Sequence, residues 1–112
     1  MAHPHIQPGQ VVSVSPLGAQ LAQGKTTALF KGQQLEVVRI VLAAGKSLRE
    51  HSAPGEITVM CIQGRIEFTT PHAVQVMVAG DFLYLPPGEP HALLALEDSS
   101  ALVTICLAPV ET

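Results

Sequence analysis

The stretch Gly80-Asp-Phe-Leu-Tyr-Leu-Pro-Pro-Gly-Glu-Pro-His91 decides how the rest of the chain is read. A glycine turn leads into the short apolar run Phe82 to Leu85. Pro86-Pro87-Gly88 cannot continue a strand and sends the chain back, and His91 opens the next run. Such a frame holds one imidazole at a fixed place near the mouth of a β-structure. A fixed imidazole suits a metal ligand or an acid/base group.

Working outward, the same punctuation recurs at roughly 8–12-residue spacing, the signature of an all-β sandwich or barrel. Val11 to Ser15 alternates and ends at Pro16, so it reads as a strand. Thr26 to Phe30 and Leu35 to Leu42 follow, closed by Lys31-Gly32 and Ala43-Ala44-Gly45. Ile57 to Ile62 ends at Gln63-Gly64, and Arg65 to Thr69 begins at once, which predicts a hairpin. Val74 to Val78, Phe82 to Leu85, His91 to Leu96 and Leu102 to Leu107 complete the set, before Pro109. Only Gln20 to Gln23 suggests a helical turn. The pattern predicts one all-β domain over residues 1–112, an antiparallel β-barrel or double-sheet jelly roll, which buries many short strands without bare edges.

Composition bounds the function. With 112 residues the chain buries about 65% of its unfolded surface, enough for one core. Its charged share is 13%, about half the usual quarter. A small monomer with so few charges leaves apolar surface wet, which predicts a homodimer. The net charge is −3 and the six Lys/Arg residues are scattered, so no basic stripe points to nucleic acid. Cys61 and Cys106 lie inside apolar runs and read as reduced core thiols. No apolar stretch reaches membrane-span length, and the start lacks the pattern of a secretory signal, which makes the cytoplasm the default location.

The fixed spacings identify a resemblance to the cupin superfamily, over residues 35–107. Gly80, Pro86, Gly88 and His91 stand at the positions of the second cupin motif, with Ala95 where asparagine is expected. Gly45, His51 and Gly64 match the first motif. Ala53 replaces that motif's second histidine, Ile57 stands at its glutamate position, and Glu56 falls one residue earlier. The resemblance implies an RmlC-like barrel, a double-stranded β-helix whose ligands point into its centre, in a family whose members are often dimers.

A complete cupin site has three histidines and one carboxylate, a set suited to Fe, Mn, Ni or Zn as the divalent ion. Only His51 and His91 survive here at ligand positions. Transition-metal sites normally use at least three protein ligands, so two imidazoles hold a metal weakly. Glu56 is the candidate third ligand: it lies one residue out of register, and a bulge at Pro54-Gly55 would turn it inward.

The expected ligand pocket is His51 and His91 walled by Ala53, Ile57, Val59, Leu93 and Ala95, because alternate strand residues share a face. For the strand 35–42, both registers stay open: Val38, Ile40 and Leu42 inward, or Val37, Arg39 and Val41. Of Phe82 and Tyr84, one is expected inside and the other outside. His72 reads as a solvated turn residue, Glu89 as a surface residue, and His3 and His5 receive no role.

Two functions compete. One is a protein that binds a small, partly apolar molecule in the barrel. The other is a metal-dependent enzyme of dioxygenase or isomerase type, using His51, His91 and a third ligand. A metal-free variant would use a histidine base with Tyr84, the one tyrosine, as acid. A sensor joined to a DNA-binding helix-turn-helix has no room in this length.

Overall fold

In the computed structural model, which describes residues 5–107, nine strands form two antiparallel sheets. His3 and Pro109 lie outside the described residues. The strands are β1 (Thr27–Lys31), β2 (Leu35–Leu42), β3 (Ser47–His51), β4 (Ile57–Gln63), β5 (Arg65–Thr69), β6 (Val74–Val78), β7 (Phe82–Leu85), β8 (His91–Ala95) and β9 (Ser99–Cys106). The larger sheet has the order β1-β2-β9-β4-β7 and the smaller β3-β8-β5-β6. A single 3-10 helix, Gly18–Gln23, stands where a helical turn is expected, and it buries Leu21.

The all-β jelly roll is therefore present, but its pairing differs from the local reading at one decisive place. β4 and β5 do not form a hairpin. β4 pairs with β7 and β9, whereas β5 pairs with β6 and β8. At Gly64, with φ +88°, the chain steps from one sheet to the other. The corner is closed by Ser99, whose hydroxyl donates to the Arg65 carbonyl and accepts from the Arg65 N–H, each at 3.0 Å. Local turn chemistry gives a reversal of direction; only the competition for partners decides which strand is met afterwards.

Three further differences have physical causes. Val11 to Ser15 forms no strand: its Val11 side chain is 93% exposed, and no backbone ladder forms along it. β3 was not expected, because Ser-Leu-Arg-Glu-His shows little β-character. Its ladder with β8 makes it a strand. β9 starts at Ser99 rather than Leu102, and it is the central strand of the larger sheet, where Ser99 and Ser100 are buried.

The core fills the space between the sheets. Ile57, Val59 and Cys61 from β4 face Ile66 and Phe68 from β5, with Met77, Leu85, Leu93, Ala95, Ala101 and Val103 around them. The open register of β2 is settled. Ile40 packs on this core and Leu42 is part of it, while Arg39 faces away. On the outer face an amino-terminal arm crosses the larger sheet. Arg39 Nη2 donates to the Ser15 carbonyl at 3.1 Å, and the Gln63 amide exchanges hydrogen bonds with the backbone of Gly18 at 3.1 and 3.3 Å. Among the described residues no helix is long and apolar enough to cross a membrane.

Candidate functional site

His51 ends β3 and His91 begins β8, and the two residues stand directly opposite in the ladder. A register shift lies between them and the pair Leu48–Leu93. Three residues advance on β3 while two advance on β8, so β3 carries one extra residue. Strict alternation from the inward Leu48 would turn Glu50 inward and His51 out. The bulge reverses this, so that His51 joins Leu48 on the inner wall and Glu50 is exposed. The sequence motif marks the position of His51, but the bulge that aims its ring leaves no local signal.

The rings lie 4.3 Å apart, centroid to centroid, at 57° to each other. Phe68 stacks on the far face of the site, its ring parallel to His91 within 4° at 5.7 Å. His91 is 4% exposed, and His51 is open to solvent. Each ring is fixed by the same local device: Nδ1 of His51 lies 2.8 Å from the Arg49 carbonyl, and Nδ1 of His91 lies 3.0 Å from the Glu89 carbonyl. A carbonyl oxygen only accepts, so both Nδ1 atoms carry the hydrogen. The lone pair of each neutral imidazole is then on Nε2.

Burial holds the His91 pKa below its usual value. The Glu89 carbonyl opposes this shift and the neighbouring His51 adds to it. At neutral pH His91 is a neutral hydrogen-bond acceptor through Nε2.

Both imidazoles line a cavity of about 210 Å³ between the sheets. Its other walls are Thr26, Val38, Ile40, Leu48, Ile57, Val59, Leu93, Val103 and Ile105. Of the expected wall residues, Ile57, Val59 and Leu93 are there. Ala53 packs beside the core and Ala95 is buried within it, and neither borders the cavity. Thr26 was missed. Its hydroxyl is committed to Val41, accepting from the N–H at 2.9 Å. The volume is below the usual ~300–1,000 Å³ of ligand pockets, so it suits a molecule smaller than a drug-sized one.

Glu56 does not join the histidines. It precedes the inward Ile57 and so faces out, where its Oε2 accepts from the Tyr84 hydroxyl at 2.6 Å. This contact raises the Tyr84 pKa. Phe82 and Tyr84 are two residues apart on β7 and share the outer face, 63% and 53% exposed, while Leu83 and Leu85 face the core. The expectation that one of the aromatics turns inward thus fails on strand alternation. His72 is exposed as expected and lies 3.5 Å from Glu89, whose side chain is largely covered rather than free at the surface. Cys61 and Cys106 are free thiols. Burial raises the Cys61 pKa, which keeps it an inert core residue.

The donor set is a poor match to a transition metal. Two imidazole Nε2 atoms are at hand, and among the described residues no group of three or more His, Cys, Asp or Glu side chains converges. A closed or catalytic site of that class has at least three protein ligands.

A larger cleft, of about 970 Å³, lies between the arm and β1 and β2. It contains neither site histidine.

Comparison with known proteins agrees with this architecture. No curated protein matches the chain. Among solved structures, a conserved protein of unknown function from Streptococcus pyogenes is 23% identical with a TM-score of 0.74, the match covering 100% of this chain and 97% of that one. An RmlC-like cupin from Desulfovibrio desulfuricans is 26% identical with a TM-score of 0.71, covering 87% and 97%. An RmlC-like cupin with a double-stranded β-helix fold from Methanocaldococcus jannaschii is 17% identical with a TM-score of 0.70, covering 88% and 93%. The family profile described as "Cupin domain" matches residues 38–107. With the two motif histidines facing each other across one ladder of a jelly roll, the chain belongs to the cupin family.

Proposed function

We propose that this cupin binds a small, partly apolar molecule in its barrel, held by hydrogen bonds to His51 and His91. The observation that carries the reading is the pairing of two fixed imidazoles with an otherwise almost wholly apolar cavity. Two Nε2 acceptors select a ligand with a hydroxyl or amine donor, and the hydrocarbon walls select an apolar body. Burying a donor here without a partner would cost about 1–3 kcal/mol, so the imidazoles also set specificity. The free thiols support a reducing, cytoplasmic setting.

Native mass spectrometry of the untagged chain, with elemental analysis of the same sample, tests this reading. An organic adduct in the wild type that disappears in His91→Ala is the expected result. A stoichiometric divalent metal lost in both His51→Ala and His91→Ala would replace it with the metal-dependent enzyme.

A further inference from the structure

Two spaces in this chain differ in chemistry. The barrel cavity of about 210 Å³ is almost wholly apolar around its two imidazoles. The cleft of about 970 Å³ under the amino-terminal arm is lined by Lys25, Arg39 and His5 and, among the described residues, by no Asp or Glu. The whole chain has six Lys and Arg against nine Asp and Glu. A cleft that takes two of those six and none of the nine locally reverses the net charge of −3.

The arm holds this cleft in shape. The Ile6 N–H donates to the Leu29 carbonyl of β1, the edge strand, at 2.9 Å. Arg39 of β2 ties down Ser15, and Gln63 of β4 ties down Gly18. Thr26 borders both the cleft and the barrel cavity. Its hydroxyl is occupied by the backbone of Val41, donating to the carbonyl and accepting from the N–H, so this side chain divides the two spaces.

Arg39 carries the strongest signal. Its guanidinium has five N–H donors and no acceptor. Nη2 is placed on the neutral Ser15 carbonyl, and Nε is buried with no partner among the described residues. The ion pairs among the described residues are Arg65–Glu97 and His72–Glu89, so no carboxylate there meets Arg39 or Lys25. Buried charge is ordinarily paired, and a buried donor without a partner asks for an explanation. An anion beside the guanidinium supplies the missing counter-charge. The bond to Ser15 already fixes the side chain, so binding requires little further ordering.

We propose that this cleft is a second binding site, for a small organic phosphate monoester with an apolar body. Such a group carries about −1.5 to −2 charges at pH 7 and three acceptor oxygens. Lys25 and Arg39 match that charge, with the His5 ring as a further donor. A carboxylate would match only one of the two cations. Leu17, Ala28 and Leu29 give the apolar body a wall. The volume lies within the ~300–1,000 Å³ of ligand pockets, where the barrel cavity falls short. The site is independent of the molecule proposed for the barrel.

Calorimetric titration of the full chain with phenyl phosphate near neutral pH tests this. A dissociation constant below about 1 mM is expected, with benzoate weaker by about threefold or more. Arg39→Gln should weaken phenyl phosphate about tenfold or more, and Lys25→Gln about threefold. Lys31→Gln removes a charge from the same strand outside the cleft and should change affinity less than about twofold. Amide NMR of the same titration should move Lys25, Thr27 and Leu29 and leave His51 and His91 in place. Thermal melts separate misfolding from lost binding, and the exposed Lys25 keeps the test decisive should Arg39→Gln unfold. No binding of phenyl phosphate at millimolar concentration would overturn the proposal. So would benzoate binding as tightly, amide shifts at His51 and His91 instead, or an equal loss in Lys31→Gln.

Discussion

The backbone N–H of Gly88 donates to the carbonyl of Ala53 at 2.8 Å. This bond ties the turn before His91 to the segment after His51, so the two imidazole-bearing elements share one anchor as well as one ladder. Gly88 sits in the left-handed region, φ +77°, following Pro87, as the chemistry of a type II turn demands. Gly88→Ala should therefore cost about 1 kcal/mol, the penalty of placing an L side chain there, since nothing lies within 4 Å of a Cβ at this point. Denaturant midpoints check this, and a loss above about 3 kcal/mol would mean that the turn supports more than itself.

Gly64 faces a harsher constraint. Its φ is +88°, and a Cβ would also overlap the Ser99 side chain and the Asp98 carbonyl. Backbone strain of about 1–3 kcal/mol adds to an overpacking cost of similar size in Gly64→Val. The expected total is about 3 kcal/mol or more, lowering Tm by roughly 10 °C or more. A melt within 2–3 °C of the wild type would contradict the crowding at this corner.

Stability should respond to pH through His91. Its pKa in the folded chain lies below the unfolded value of about 6.5, because burial favours the neutral ring. The unfolded chain then binds more protons than the folded one as pH falls. Its contribution is fully present above pH ~6.5 and is lost as pH drops through the depressed folded value. Urea unfolding at pH 7 and pH 5, in wild type and His91→Gln, isolates the effect. The wild type should lose more stability across this interval than the variant, and equal losses would refute the assignment.

Tyr84 is the one tyrosine, so its ionisation is directly visible by ultraviolet absorbance. The hydrogen bond to Glu56 favours the neutral phenol, which puts the titration midpoint above the usual value of about 10. Glu56→Gln should bring the midpoint down towards that value. No difference between the two proteins would show that the contact does not persist in solution.

Much of the fold is written locally. Alternation, glycine and proline punctuation, and apolar composition place seven of the nine strands close to their observed spans, because backbone sterics and burial act on the nearest neighbours. The motif spacings pick out His51 and His91 for the same reason: fixed turns hold fixed residues. What stays hidden is whatever depends on a distant partner. β3 becomes a strand through its ladder with β8, and the extra residue within it turns His51 inward instead of Glu50. The outward position of Glu56 follows from the parity of Ile57 and from Tyr84, 28 residues away.

The sequence alone determined a one-core β-structure with two positioned imidazoles and too few charges to coat its own surface. The tertiary structure decided that Gly64 separates two sheets rather than closing a hairpin, which side of β2 faces the cavity, and which side of β7 faces the core. Chain geometry accounts for the division. Turn and strand preferences are energies of neighbouring residues, whereas register and sheet membership are settled between residues that meet only when the whole chain has closed.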